Sequence, residues 1–474
     1  MSFWYQNGVC SNNRHSHRQD NRKTCQVVGA FLIISICGVV AQAQDATPPG
    51  FIARFDITQQ LEYSDNPDLD EDGDSDLYGR TIFGLALESV TNVQRFSFNL
   101  GTELEEWRDD QSTFDFTNSS ASLGYDRDTQ NANIGLNLRY RESDENSEFF
   151  DDEFDLDGNV INQDSGTRKS YGVGLDGAFG LQDPIGASYR LDYTSLEYND
   201  TDDPDLTDQS NLDIEGALNF RLDPRIVARL TAKYIDFDTD GNGVDRETTG
   251  LGAGVVLDIN PRLVADIGLS YDNIDRSGDE TGTDDGITAT VDLTQQMTNG
   301  TVGLSFASDV TSNDDGRRTF LRLDRVMDLT RSSSVNLSLG ATYSDGAGVD
   351  PIVNLEYIQQ RPSSSFNIGL SQRVNTDSDN EEEINTTLRA GYAHSINNTS
   401  SLGLDVALFD RNELGDNPDD GQRYDIGITY RHELTRDWSL IGSYTYRFET
   451  SDEGSDRDSN TVFVGIQRSF EWNP

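Results

Sequence analysis

The sequence predicts an all-β protein: a transmembrane, antiparallel, up-and-down β-barrel of about 22 strands with acidic extracellular loops and short periplasmic turns. Three observations carry this reading. Apolar residues recur at every second position along most of the chain. The connections between these alternating stretches are short and long by turns. Nearly all of the connecting charge sits on the long ones.

Residues 212–275 show the pattern most clearly. Leu212, Ile214, Leu218, Phe220 and Leu222 occupy one parity, and Asp213, Glu215, Asn219 and Arg221 occupy the other. This is the signature of a strand with one apolar face. After Asp223, Pro224 and Arg225 the apolar parity resumes with Ile226, Ala228, Leu230, Ala232 and Tyr234. The same unit returns at Ile259, Asn260, Pro261, Arg262 and Leu263, so the chain reads as a string of hairpins.

The amino end is a leader. Arg14, Arg18, Arg22 and Lys23 precede an apolar run, residues 27–40, which ends at Ala41, Gln42 and Ala43. A charged region, an apolar core and a small-residue cleavage site mark residues 1–43 as a secretory signal peptide. The run is too short to span a bilayer as a helix. Cys10, Cys25 and Cys37 all precede the cut, so a disulfide framework is not expected. Residues 44–50 form a short periplasmic segment, with no room for a plug domain, and residues 51–474 form the single barrel.

Taken in order, the first strand lies near residues 51–63 and the second carries Phe83, Leu85 and Leu87. Phe96, Phe98 and Leu100 mark the third. The alternation is interrupted at residues 114–125 and resumes at Ala132, Ile134, Leu136 and Leu138. Strands follow near 171–181 and 189–198, then the units of 212–275. Pairs are expected at 287–293 with 302–306, 319–326 with 335–343, and 352–357 with 366–374, the stretch 319–326 again being irregular. Residues 384–396 pair with 402–408 and 424–434 with 438–448, and 462–470 closes the chain.

The short connections are residues 90–94, 127–131, 182–186, 223–225, 260–262, 296–300, 328–333, 361–364, 396–400 and 435–438. The long ones are 64–77, 108–113, 142–168, 199–210, 238–247, 273–285, 308–316, 344–350, 375–383, 410–422 and 449–459. The long class holds 53 Asp and Glu and the short class five. A soluble sandwich has no reason to send its loop charge to one end, whereas a barrel crossing a membrane does. Tyr63, Trp107, Tyr140, Tyr193, Tyr234, Tyr271, Tyr343 and Tyr446 fall near the long-loop ends of their strands, as an interfacial aromatic girdle requires.

The composition fits. Only 34% of the residues are hydrophobic and the formal net charge is −48. A barrel needs one apolar face per strand and stays hydrophilic on average. Such acidity argues against nucleic acid as a partner, because phosphate contacts need Lys and Arg. Past the leader only His394 and His432 remain. Both share the apolar parity near short turns, so neither lies in a cleft beside a nucleophile, and no enzyme is expected. Asp238, Asp240 and Asn242 follow the opening of a calcium loop, but Thr249 stands where a bidentate Glu is needed. No cofactor is expected beyond loosely held Ca2+, since clustered carboxylates attract cations whatever their geometry.

The polar parity supplies the candidate lumen residues: Arg139, Arg190, Asp192, Arg229, Lys233, Asp266, Glu356, Arg373, Arg389, Arg431 and Arg447. Charge of both signs on this face is tolerable only if it meets water. A barrel of this strand number encloses an aqueous lumen, either open or narrowed by an infolded loop, for which residues 142–168 are the candidate by length.

The mature chain resembles the outer-membrane β-barrel porins of proteobacteria. The resemblance is architectural. It rests on the opening run from Phe55 through Leu61 and Tyr63 to Asn66, and on the closing strand with Val462, Val464, Ile466, Gly465 and Phe470, which is similar to the strand read by the barrel-assembly machinery. Arg468, and the residues that follow Phe470, depart from that pattern. The resemblance implies a passive channel for small solutes or ions in the outer membrane of a Gram-negative bacterium, surrounded by lipid and lipopolysaccharide. The parity and loop charge add an expectation of weak cation preference. The alternative is a non-transporting surface or adhesion barrel whose acidic loops bind divalent cations.

The topology has a direct test. Protease added to intact cells is expected to cut within residues 65–77 and 142–168 and to spare the turn at Asp223, Pro224 and Arg225. Cleavage at that turn would invert the assignment.

Overall fold

The computed structural model describes residues 50–473 apart from 68, 70–72, 109–114, 145–165, 200, 202–206, 242, 279–280, 312–315, 345–347, 377–381, 414–420 and 452–455. The leader and most of the long connection 142–168 thus lie outside the described residues.

Twenty-two strands follow one another: β1 (Gly50–Ser64), β2 (Asp76–Val90), β3 (Gln94–Arg108), β4 (Asp115–Asp128), β5 (Ala132–Asp144), β6 (Thr167–Phe179), β7 (Ile185–Asn199), β8 (Gln209–Asp223), β9 (Ile226–Thr239), β10 (Val244–Asn260) and β11 (Leu263–Gly278). The second half is β12 (Gly282–Met297), β13 (Gly300–Val310), β14 (Arg317–Thr330), β15 (Ser333–Ser344), β16 (Gly348–Arg361), β17 (Ser364–Thr376), β18 (Glu382–Asn397), β19 (Ser400–Glu413), β20 (Gly421–Glu433), β21 (Trp438–Ser451) and β22 (Arg457–Trp472). Each strand pairs antiparallel with the next, and β22 returns to β1, so the sheet closes into a barrel.

Burial is inverted relative to a soluble protein. Leu218 and Leu222 of β8 are exposed, as are Leu251 of β10 and Val349 of β16, at 72% and 70%. Asp425 and Glu383, by contrast, are fully buried at 0%. The apolar parity therefore faces outward and the polar parity faces the lumen, as the alternation demands.

The two related turns share one device. The Asp223 carboxylate accepts the Arg225 amide at 3.1 Å. The Asn260 side-chain oxygen accepts the amides of Arg262 at 2.9 Å and Leu263 at 3.1 Å. An Asx residue bonding its own backbone two residues on stabilises a tight reversal.

Both irregular stretches have local causes. In β4, Asn118 adopts φ +48° and the register with β3 shifts between Gly101 and Glu103. The extra residue is a β-bulge, and it moves the outward face from odd positions, such as Leu123, to even ones, such as the exposed Phe116. In β14, Arg325 stands at the outward parity opposite Val302 and Leu337. Its guanidinium reaches back to the short turn, donating to the Thr301 carbonyl at 2.9 Å and to Asn299 Oδ1 at 2.7 Å. A long cationic side chain on an apolar face is tolerated when it snorkels in this way.

The acidic connections are shorter than their composition suggests. β11 runs to Gly278 and β12 begins at Gly282, so most of residues 273–285 is strand. Likewise β10 begins at Val244, within the acidic stretch 238–247. Antiparallel ladders persist in water without an apolar face, and the barrel wall extends past its apolar band.

At the level where the wall leaves that band, girdle tyrosines donate to carboxylates. Tyr140 bonds Glu142 at 2.5 Å and Tyr271 bonds Asp285 at 2.5 Å. The ring stays in the apolar zone and the hydroxyl in the wet one.

The two faces of β8 predict unequal mutational costs. Leu218→Arg is expected to destabilise the barrel by about 2–4 kcal/mol, the scale for a cation on the lipid face at mid-depth, and Asn219→Arg to be nearly neutral. Equal losses in lipid unfolding titrations would reverse the assignment of faces.

Candidate functional site: the charged lumen

The lumen wall collects the polar parity of all strands. On one side, Arg229 of β9 contacts Asp266 of β11, and Lys233 of β9 lies 3.0 Å from Asp272 of β11. Both pairs reach over β10, where Gly250 faces Lys233 and Asp272, Gly254 faces Arg229 and Val256 faces Asp266. A Cβ at Gly250 would stand 2.4 Å from Asp272 and 2.7 Å from Lys233, so only glycine leaves room for the bridge. On β7, Arg190 pairs with Asp192 along the strand.

A second cluster spans β18–β21. The ring of Phe409 on β19 is buried in the lumen. The Arg389 guanidinium from β18 lies 5.3 Å from its centre and that of Arg423 from β20 lies 4.4 Å. Cations near the face of a ring are held by its quadrupole. Arg447 donates to Asp425 at 2.9 Å, and Arg423 lies 3.5 Å from the same carboxylate. Towards the short turns, Arg431 donates to Gln467 at 2.5 Å and to Ser439 at 3.2 Å. A third cluster places Arg80 of β2 within 3.3 Å of Glu62 and 3.8 Å of Glu103 and Glu105, with the Tyr78 ring at 4.6 Å.

Of the candidate lumen residues, the wall thus brings Arg229 to Asp266, Arg190 to Asp192, and Arg389 and Arg447 into one cluster. Arg139 faces Ser122 and Gly172, Glu356 faces Asn336 and Gly369, and Arg373 faces Asn385, each at the lumen parity.

Burial grades along the axis. Arg168, Arg246, Asp272, Arg318, Glu383, Phe409, Asp425 and Arg447 are all buried, and all lie towards the ends that adjoin long connections. Arg221 and Asp223, at the short-turn end, are exposed. The charged lumen residues are thus most deeply buried towards the long connections.

Phe409 is a lumen residue that parity alone misses. It is an apolar side chain at the polar parity, beside Arg411 and Asp405. That mismatch is a signal, but its arginine partners sit on neighbouring strands and are invisible along the chain. Phe237 repeats the arrangement, buried with the Arg246 guanidinium 4.3 Å from its centre.

The other candidate residues sit as follows. Asp238, next to last in β9, pairs with Ser210, the Asp240 amide bonds the Asp208 carbonyl at 2.8 Å, and Asn242 lies outside the described residues. Among the described residues no group of three or more His, Cys, Asp or Glu is placed to hold a metal. His394 and His432 stack on Tyr392 and Tyr430 of the outward face, at 6.2 and 6.5 Å. In the closing strand, Gly465 lets β1 approach, since a Cβ there would stand 3.0 Å from the Gln59 carbonyl oxygen. Phe470 stacks on Phe55 at 6.2 Å. The departing residue Arg468 is accommodated between the Trp438 and Phe470 rings, at 5.2 and 4.5 Å.

No family model matches the chain, and no curated protein matches its sequence. Solved structures match its fold. The iron transporter FrpB from Neisseria meningitidis is similar over 89% of this chain and 82% of its own, with a TM-score of 0.54 and 10% identity. The siderophore receptor PirA from Acinetobacter baumannii matches over 89% and 81%, with a TM-score of 0.50 and 9% identity. The ferric enterobactin receptor PfeA from Pseudomonas aeruginosa, solved as a mutant with enterobactin, matches over 88% and 81%, at 0.50 and 9%. At such identity the likeness is one of fold: a large closed barrel of the kind used by outer-membrane receptors.

The buried cluster predicts a contrast in stability. Asp425→Ala removes the buried carboxylate shared by Arg447 and Arg423 and is expected to cost about 3–5 kcal/mol, the scale for breaking a buried pair. Asp192→Ala, in a pair that is more than a third exposed on both sides, is expected to cost less than about 1 kcal/mol. Chemical unfolding of the two variants in the same lipid checks this, and equal midpoints would contradict it.

Proposed function

We propose that the chain is an outer-membrane transport barrel acting as a passive, porin-like channel for small hydrophilic solutes, with weak cation preference. One observation carries the reading: a closed barrel turns charged and polar side chains inward on strand after strand and apolar ones outward. A wall of that kind encloses water, and a purely structural barrel has no need of it. The similar solved structures include an iron transporter and two siderophore receptors, which favours a transport role over adhesion. The graded burial favours small solutes, because charged side chains crowd the wall towards the long connections.

The sign of the preference follows from the acidic ends of the strands. Exposed charges act over about 8–10 Å at physiological ionic strength, so only those near the mouth reach a permeating ion. Many acids at one mouth raise the local cation concentration. Reversal potentials across planar bilayers under a KCl gradient are expected to show cation preference at low salt that fades at high salt. Anion preference at low salt would assign control to the luminal arginines, and absence of conductance would defeat the channel reading.

A further inference from the structure

Among the described residues, the barrel wall is incomplete within its apolar band at the β16–β17 seam. β15 and β16 pair over twelve residues each, from Ser333 with Gln359 to Ser344 with Gly348, and β17 and β18 over thirteen. Between them, β16 and β17 share only seven pairs, from Arg361 with Ser364 up to Leu355 with Leu370. Above that point residues 348–354 of β16 and 371–376 of β17 both continue as strands, each bound to its other neighbour. Other short ladders differ: β12 with β13 stops because β13 itself ends at Val310, and β4 with β5, whose strands both run on past Ser120 and Arg141, parts only above the girdle residue Tyr140.

Two side chains occupy the gap. The Val353 amide donates to the Gln372 side-chain oxygen at 2.8 Å, and the Gln372 amide donates to Asn354 Oδ1 at 3.0 Å. The sequence supports an opening here, because Pro351 stands two residues from Val353. Alternate residues along a strand present their backbone groups to the same side, so at that point β16 offers the seam no N–H. The height of the gap matters too. Tyr343 of the girdle faces Val349, so Pro351 and Val353 lie below the girdle, within the apolar band. A sheet edge at that depth is tolerated only where it is covered by protein or lines a water-filled cavity.

We propose that the β16–β17 seam is a lateral portal, through which a single-chain amphiphile passes between the lumen and the adjoining lipid leaflet. This rests on the reading of the chain as a membrane barrel with a wet lumen. A slot between two strands, apolar outside at Pro351, Val353 and Val374 and polar inside at Asn354 and Arg373, matches a molecule with a chain at one end and a polar head at the other. The head stays with the lumen face and the chain with the lipid. Replacing ladder bonds by the side chains of Gln372 and Asn354 keeps the slot closed at rest, and two rotamer changes release it.

The test uses the full chain with Cys10, Cys25 and Cys37 changed to Ser, in vesicles loaded with serum albumin. A fluorescent lysophosphatidylcholine is added outside, and its arrival at the trapped albumin is followed alongside KCl conductance. Cross-linking V353C/Q372C with a short bis-maleimide is expected to reduce transfer to the level of protein-free vesicles and leave conductance intact. Cross-linking L323C/L339C, across the intact β14–β15 ladder, is expected to change neither. Transfer that survives the V353C/Q372C cross-link, or its absence from the unmodified protein, overturns the portal. Transfer without KCl conductance would instead retire the passive-channel reading and leave the portal standing. Should the cysteine variant fail to assemble, hydrogen exchange of the unaltered protein decides. The Val353 and Val349 amides are expected to exchange faster than those of Leu337 and Leu339, and equal protection overturns the proposal.

Discussion

Everything in this molecule depends on one constraint: backbone N–H and C=O groups that face hydrocarbon must find partners inside the sheet. A flat sheet leaves two open edges, and only closure removes them. Here closure falls to β1 and β22, twelve residues of each in register. Each end of that seam is fastened by side chains. At the long-loop end Asp65 accepts the Asn460 amide at 2.6 Å and its side-chain nitrogen at 2.9 Å, and Ser64 shares hydrogen bonds with Ser459 and Thr461. At the other end Phe51 meets Trp472 edge-on at 5.7 Å, while Ser469 donates to Asp56. The pair most distant in sequence is thus fastened by side chains as well as by its ladder.

Closure also explains how so hydrophilic a chain folds. With mean hydropathy of −0.61 the sequence could not assemble a conventional core. It needs none, because lipid solvates the apolar parity and the ladders satisfy the backbone. What is packed instead is polar: buried Arg, Asp, Glu and Phe against one another towards the long connections. Such a cluster is costly unless each member has a partner. The wall therefore places charges in opposite-sign neighbours, as in Arg447 with Asp425 and Lys233 with Asp272.

Much of this was legible from the alternation, because a period of two assigns the face of every residue once one residue is assigned. Arg229, Lys233 and Asp266 fall on the lumen side for that reason, and the strand number follows from counting hairpins. Two kinds of feature were not legible. Asn118 shifts the parity of β4 by one residue, and the extra residue looks like noise until its φ and register are known. Contacts between strands, such as Phe409 between Arg389 and Arg423, join residues 20 and 14 positions apart. Their heights depend on register and tilt, which alternation leaves open. The acidic stretches misled in a third way. Their composition suggests loop, yet Asp245, Glu247, Asp275 and Asp284 are in strands, because pairing with a neighbour outweighs low intrinsic strand preference.

The same pairing bears on which charges govern permeation. A guanidinium next to a carboxylate presents a dipole to the lumen axis, and the field of a dipole falls off faster than that of a lone charge. Arg229, Lys233, Arg190 and Arg447 are each compensated within a few ångströms, so their positive charge is largely cancelled where an ion would pass. The acids of the long connections far outnumber the basic residues there, although some are paired, as Asp284 is with Arg276 at 3.0 Å. Of the 84 acidic residues, 53 lie in those connections, against 36 basic residues in the whole chain. Their fields therefore add where the luminal ones cancel. In the proposed channel the mouth, although more exposed and more strongly screened by salt, would set the sign of the potential, while the paired wall would set the polarity of the path.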